Sequence, residues 1–427
     1  MKKNRSRNTR GIYVLVALGI VATFGPSINY VNMLFDSAAR WIILAMLFAL
    51  LLCKRRFFMG LHGVPAYFTY AFLTICTLST LWSDLPRLTG PKAGMYVAVS
   101  LCYMSAGAYW LSMAGRRRAL DLLWPIPALA ILTGLGGAIS GQATIKMNEN
   151  VDLFRGLADN SNFLGILILC ALPLLLWVTL RSQTTRIARV LGGLLIAAMV
   201  VMLLQTFSRA AFLAVAVLAC FALIGMGARK TAGTLICALA AASIVTFSFP
   251  QLAEHLHKTY VLKGDPYGAI LASREDAWQA SADGASAGGL FGIGLGVSHG
   301  FLEFDFALGA SSYGREKGNV SLAMIEEIGV AGFLAFLLAM ITLYSRLINT
   351  AAKSSNSDDR LLLHILLGSI VALLVNSQFE AWLLSPGGVA TPVFWILVGV
   401  SAQASRSILR EISQHHRIPP VTVRAAT

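Results

Sequence analysis

"VVMLLQTFSRAAFLAVAV" (residues 200–217) sets Arg209 between two apolar runs with almost no loop around it. Runs of this length suit helices that cross a bilayer, since a span needs about 20 predominantly apolar residues. The stretch therefore reads as two spans joined by one polar turn of Gln205, Thr206, Ser208 and Arg209. By position alone, Arg209 equally suits a helix-end anchor that snorkels to headgroups. Ser208 or Thr206 is expected to cap the helix that begins near Ala210, so that its free N–H groups face the same side as the guanidinium. An arginine fork beside such a terminus suits a phosphate.

Apolar runs recur on both sides of this stretch. Of the 427 residues 56% are hydrophobic and 13% charged, with a mean hydropathy of +0.69. Soluble domains carry nearer ~25% charged residues. The expected fold is all-α and polytopic, because lipid satisfies neither a broken backbone nor an open sheet edge. Spans are expected near 12–33, 38–53, 64–81, 93–113, 119–139, 161–180, 187–206, 210–228, 232–249, 320–343, 361–379 and 387–404.

The net charge of +14 does not indicate nucleic-acid binding, because the bases fall in small clusters between spans. On alternate connections lie the basic N-terminus, Lys54 to Arg56, Arg116 to Arg118, the Arg181/Arg186/Arg189 turn, Arg229-Lys230, the Arg346 to Arg360 link and the C-terminal tail. They hold 23 of the 34 Lys and Arg. The positive-inside rule then predicts twelve helices, both termini cytoplasmic and Arg209 on the outer face. No small-x-small cleavage site follows the first apolar run, so that run is expected to be a retained helix. The six cysteines form no CxxC pair and read as small buried hydrophobes.

The expected organisation is a cytoplasmic tail at 1–11, helices 1–9 over 12–249, an outer loop over 250–319, helices 10–12 over 320–404 and a second tail at 405–427. Two outer connections are too long for plain turns, and long loops are usually lids or binding loops. One is residues 140–160, rich in Asn and Asp. The other is 250–319, expected to carry a short helix over "LASREDAWQASAD" and to cap an outward cavity.

Several motifs now join the opening one. "LLQTFSRAAFLA" resembles the Thr-x-Ser-Arg-small signature of the bacterial O-antigen ligase and polysaccharide polymerase superfamily. "LSTLWSDLP" (78–86), "DNSNFLGILILCALPLL" (159–175), "SREDAWQASADGASAGGLFGIGLG" (273–296) and "GNVSLAMIEEIGVAG" (318–332) resemble further elements of that family, in the same order. The resemblance implies transfer of an undecaprenyl-pyrophosphate-linked glycan to a sugar hydroxyl at the outer face of the bacterial inner membrane. The acceptor is then lipid A-core for a ligase, or a growing polysaccharide for a repeat-unit or exopolysaccharide polymerase. Arg209 and Arg274 are the expected counter-charges to the departing pyrophosphate, which requires no metal. Glu327, Glu316 and His299 are candidates for activating the acceptor. Ser208, Thr206, Trp82, Asn162, Trp278 and Asn319 are candidate substrate contacts, as is Tyr313. One departure stands out: where many members of the family carry His before the Asn, this chain has Gly318.

Plainer roles exist for each candidate: an interfacial belt for Trp82, a local ion pair for Arg274, a helix-start carboxylate for Glu327, and a surface position for His299. "GIGLG" lacks the strand and the acidic residue of a dinucleotide loop. Neither Glu326-Glu327 nor Asp358-Asp359 has the companion ligands of a metal site, so no cofactor is expected. A multipass glycan or lipid transporter fits the helix count as well, although the arginines lie at span ends rather than mid-helix and no internal repeat is evident.

Overall fold

The computed structural model describes residues 2–35, 37–59, 62–148, 151–227, 272–299 and 317–415. Its helices are α1 (Lys2–Phe24), α2 (Ser37–Cys53), α3 (Val64–Leu78), α4 (Pro86–Ala114), α5 (Pro125–Ser140), α6 (Ser161–Leu180), α7 (Arg186–Thr206), α8 (Arg209–Gly225), α9 (Ala272–Gly288), α10 (Val320–Lys353), α11 (Ser357–Ser377) and α12 (Thr391–His415). Eight of these (α1, α3, α4, α6, α7, α10, α11 and α12) are long and apolar enough to cross a membrane. Residues 116–140, bent by 42° ahead of α5, are either a ninth, broken span or a re-entrant segment. α2 and α8 have 17 residues each; such a helix rises roughly 26 Å, close to the ~30 Å hydrocarbon thickness. The chain is an all-α polytopic membrane protein. The span expected over 232–249 lies outside the described residues, as does most of 250–319.

The expected boundaries need correction where charge and proline act. α1 begins inside the basic tail and ends at Phe24, where Pro26 enters a 3-10 turn. α4 starts at Pro86, whose missing N–H is harmless in a first turn. α10 runs on to Lys353 and α12 to His415, because a helix continues past the membrane where polar side chains meet water. Residues 140–160 hold an antiparallel hairpin, β1 (Thr144–Asn148) with β2 (Val151–Phe154), that hydropathy did not reveal. Cys53 is exposed at the end of α2, while Cys76, Cys102 and Cys170 are buried.

Burial separates the helices into a centre and a lipid-facing rim. The spanning window of α6 is 78% buried and that of α7 only 17%, leaving Ile187, Leu191 and Leu194 exposed. The centre holds Phe72, Tyr96, Phe336, Phe394 and Trp395 in edge and tilted ring contacts 5.2 to 6.5 Å apart. α4 and α12 touch through Gly107 against the Ile396 carbonyl and Gly399 against the Met104 carbonyl, the small-residue approach favoured where lipid supplies no hydrophobic drive.

The described basic connections gather at one end of the bundle. There Arg116 bonds Asp359 at 3.1 Å and Glu411 at 2.8 Å, the Trp177 indole donates to the Arg117 carbonyl, and Arg346 donates to the His62 carbonyl. The opposite end carries the 79–85 link, the hairpin, the 207–208 turn, the 289–299 segment and the link from α11 to α12.

The hairpin is fixed by Gly156, whose φ of +61° suits glycine and whose Cα lies against the Thr133 and Gly137 backbones of α5. Replacing Gly156 with alanine is expected to lower stability by about 1–3 kcal/mol through strain and overlap, read as a fall in the melting temperature of the detergent-purified protein.

Candidate functional site

The first gathering of polar groups forms around an interruption in α10. Gly329 has φ 72° and ψ 176°, which breaks the helix at its tenth residue. The segment 288–299 repairs the break. The N–H groups of Val330 and Ala331 donate to the carbonyls of Gly289 and Leu290, and those of Ile293 and Gly294 donate to the carbonyls of Glu326 and Glu327. Close approach is possible because Gly288, Gly292, Gly294 and Gly329 have no Cβ; one added at any of them would overlap backbone or the Ser83 hydroxyl. "GLFGIGLG" is thus a strap along a broken helix.

Two adjacent carboxylates tie the strap. Glu326 is fully buried and Glu327 is 3% exposed. Glu326 Oε1 accepts from the His299 N–H at 2.8 Å and its Oε2 from Lys317 Nζ at 2.6 Å. Glu327 Oε2 accepts from the Gly296 N–H at 2.6 Å, and its Oε1 lies 3.6 Å from Lys317 Nζ. One lysine between two buried carboxylates, with two backbone donors, meets the hydrogen-bond demand that burial imposes. This geometry makes Glu327 an anchor of the strap. Lys92 lies against Gly296 on the other side. Trp82 joins the same unit, its indole donating to the Phe291 carbonyl at 3.0 Å, and the Asp84 N–H donates to the Ile293 carbonyl. His299 itself is exposed, and its role among the contacts is that of a backbone donor.

A second gathering lies where α6, α8, α9, α10 and α11 meet at the same end. The Asn160 side chain caps α6 by accepting from the Phe163 N–H. Asn162, in the first turn, donates to Glu380 Oε1 at 3.0 Å. One turn deeper, Gly165 admits Ser208 and Ala211 of α8. α8 and α11 run antiparallel, Gly225 against His364 and Gly368 against Phe221. Continuing that register to the start of α8 puts Arg209, which is half-buried, level with Glu380. Asn319 caps α10, accepting from the Ser321 and Leu322 N–H groups, while Ser321 bonds Gln378. Trp278 of α9 donates to the Gly318 carbonyl at 2.9 Å and stacks 5.8 Å from Phe379.

The turn before α8 differs from the expected capping. Thr206 Oγ1 donates to the Leu203 carbonyl and accepts from the Ser208 N–H, so it closes α7 instead. Ser208 stands at the N-cap position of α8 but makes no side-chain cap bond. The reversal is made by Phe207, left-handed at φ 51°, a conformation uncommon outside glycine and one that costs of order 1–3 kcal/mol.

Arg209, Ser208, Asn162, Trp278 and Asn319 thus share one end and one neighbourhood. Thr206 is buried behind them, and Trp82, Glu327 and His299 belong to the strap. Arg274 sits one helical turn before Trp278 on α9, with its side chain outside the described residues; Glu316 and Tyr313 lie outside them altogether. Sequence reasoning missed Lys317 and Glu380. A lysine beside an Asn-Glu-Glu stretch, and a lone glutamate where α11 ends, were the available signals. Among the described residues no cluster of three or more His, Cys, Asp or Glu forms a metal centre.

No family model and no curated protein matches the chain. Among solved structures, a chain from one described as "Structural coordination of polymerization and crosslinking by a peptidoglycan synthase complex" is similar over 82% of this chain and 99% of its own, with 18% identity and a TM-score of 0.44. A likeness that loose carries nothing about the chemistry of this chain.

Lys317→Met would leave both carboxylates buried without their cation. The expected cost is about 3–5 kcal/mol, the range for breaking a buried ion pair from one side, measured as reduced thermal stability. The triple change with Glu326→Gln and Glu327→Gln should recover a substantial part of it.

Proposed function

We propose that the chain transfers a glycan from undecaprenyl pyrophosphate to a sugar hydroxyl at the outer face of the bacterial inner membrane, in the manner of O-antigen ligases. The observation that carries this reading is that Arg209, Asn162, Trp278 and Asn319, from four motifs that resemble those of one superfamily, lie at one end of the bundle. Their end of the bundle is opposite the one that gathers the basic connections, which supports an outward-facing site and cytoplasmic termini.

In the proposed reaction the acceptor oxygen attacks the anomeric carbon while the bond to the pyrophosphate oxygen breaks. The leaving group already carries negative charge, so the protein's main tasks are orientation and charge compensation. Arg209 supplies the counter-charge beside the start of α8, whose first N–H groups reinforce it. Arg274, one turn from Trp278, is proposed as a second cation. Trp278 and Phe379 offer an aromatic surface to sugar or lipid.

The acceptor proton needs a carboxylate or imidazole within reach. Both Glu327 oxygens are engaged by Lys317 and the Gly296 N–H, so we assign Glu327 to holding the strap. Glu380, half-buried and bonded to Asn162, is the proposed base. Glu316 and His299 remain as the candidates from sequence. A repeat-unit or exopolysaccharide polymerase is the second reading, favoured by Gly318 standing where many ligase-like sequences have histidine.

Arg209→Ala should reduce glycan transfer in membrane vesicles by about 100-fold or more, the size expected for losing a transition-state electrostatic contact, with membrane insertion retained. Normal transfer by a folded Arg209→Ala protein contradicts the charge-compensation role.

A further inference from the structure

The link after α2 reads "LLCKRRFFMGLHG" (residues 51–63), three bases followed by two aromatics. α2 closes with Arg55 left-handed at φ 54°, its N–H on the Leu52 carbonyl at 2.8 Å and the Arg56 N–H on the Leu51 carbonyl at 2.9 Å. This turn sends Phe57 inward, where it meets Phe48 and Phe58 edge-on at 4.8 and 5.0 Å and its carbonyl accepts the Ser105 hydroxyl. Arg55, Arg56 and Phe58 are left at the surface.

A cavity of about 600 Å³ opens beside the turn, with Arg55, Arg56, His62 and Arg406 among its walls and Leu52 and Phe58 on its apolar side. None of its described lining residues is acidic. α12 brings Arg406 into its wall, and two helices hold its residue His62. Arg406 of α12 donates to His62 Nε2, and Arg346 of α10 donates to the His62 carbonyl at 2.8 Å. Burial, then Arg406, Arg346 and Arg410, hold His62 below its ordinary value, so the ring stays neutral at pH 7 and accepts from Arg406.

Helix-end bases ordinarily set topology and complement the helix dipole. That role requires neither a cavity nor arginines drawn from two other helices onto one loop residue. Like charges gathered without an acidic partner favour an anion. Phe58 is 66% exposed and Leu52 46%, so the anion's site adjoins a surface suited to hydrocarbon. The volume falls within the ~300–1,000 Å³ of small-molecule sites.

We propose that this pocket binds a phosphate-bearing anionic headgroup, its phosphate against Arg55, Arg56 and Arg406 and its acyl chain along Leu52 and Phe58. Basic pockets between transmembrane helices are suited to such headgroups. The inference is independent of the glycan-transfer reading, because it concerns the opposite end of the bundle.

The test is native mass spectrometry of the full chain in mild detergent with added phosphatidylglycerol, phosphatidylcholine or inorganic phosphate. Phosphatidylglycerol adducts should predominate, and R55Q/R56Q, both on exposed residues, should weaken them about tenfold or more. R406Q should act in the same direction, while R189Q, on an exposed residue outside the pocket, should have no effect. Displacement of the lipid by millimolar phosphate would assign the site to free phosphate; persistence of the adduct would assign it to the lipid. Equal binding of the two lipids, or wild-type binding by R55Q/R56Q, overturns the proposal.

Discussion

A helix that breaks in or near a membrane leaves donors and acceptors that lipid cannot satisfy, and the break at Gly329 is the constraint on which this end of the bundle depends. The strap from Gly288 to His299 supplies the missing partners, and the paired carboxylates of Glu326 and Glu327 hold it through two backbone N–H groups and Lys317. Because Lys317 is fixed there, so is the entry to α10. Gly318 then presents its carbonyl to Trp278, and Asn319 caps the helix. The loop segment that carries α9 is thereby joined to Phe379 and the end of α11.

From that anchorage the site follows by packing. α11 is buried along most of its length and sets the height of α8 through Gly225 and Gly368, which brings Arg209 level with Glu380. Gly165 lets α6 approach Ser208, carrying Asn162 to the same carboxylate. Close contacts at glycines thus hold polar groups that lie far apart in sequence. The strained turn at Phe207 lets Arg209 follow α7 with no intervening loop.

Much of this was legible beforehand, for identifiable reasons. Hydropathy registers that the chain is polytopic and all-α, and the described basic connections sort to one end of the bundle as the spacing of their clusters required. The order of motifs pointed to Arg209, Asn162, Trp278 and Asn319, which lie at the same end of the bundle. Other features depend on contacts between distant segments and leave no periodic signal. Glu327 read as a candidate base or a helix-start carboxylate, yet its partners are Lys317 and a strap residue 31 positions earlier. Ser208 or Thr206 read as a cap for α8, but Thr206 bonds backward into α7 and Ser208 makes no cap bond. The glycines of "GIGLG" could be read only as not a dinucleotide loop until the break at Gly329 gave them something to approach. Lys317 and Glu380 were overlooked because each matters only through residues brought to it by the fold.

The central claim, as proposed, is that the polar groups at this end serve the transfer of a lipid-linked glycan to an acceptor. Its most direct measurement is deletion of the gene followed by electrophoretic and mass analysis of the surface glycans. The account predicts either loss of polymer from lipid A-core with the lipid-linked polymer retained, or collapse of the polymer to a single repeat unit. Surface glycans unchanged in amount, length and attachment would contradict it.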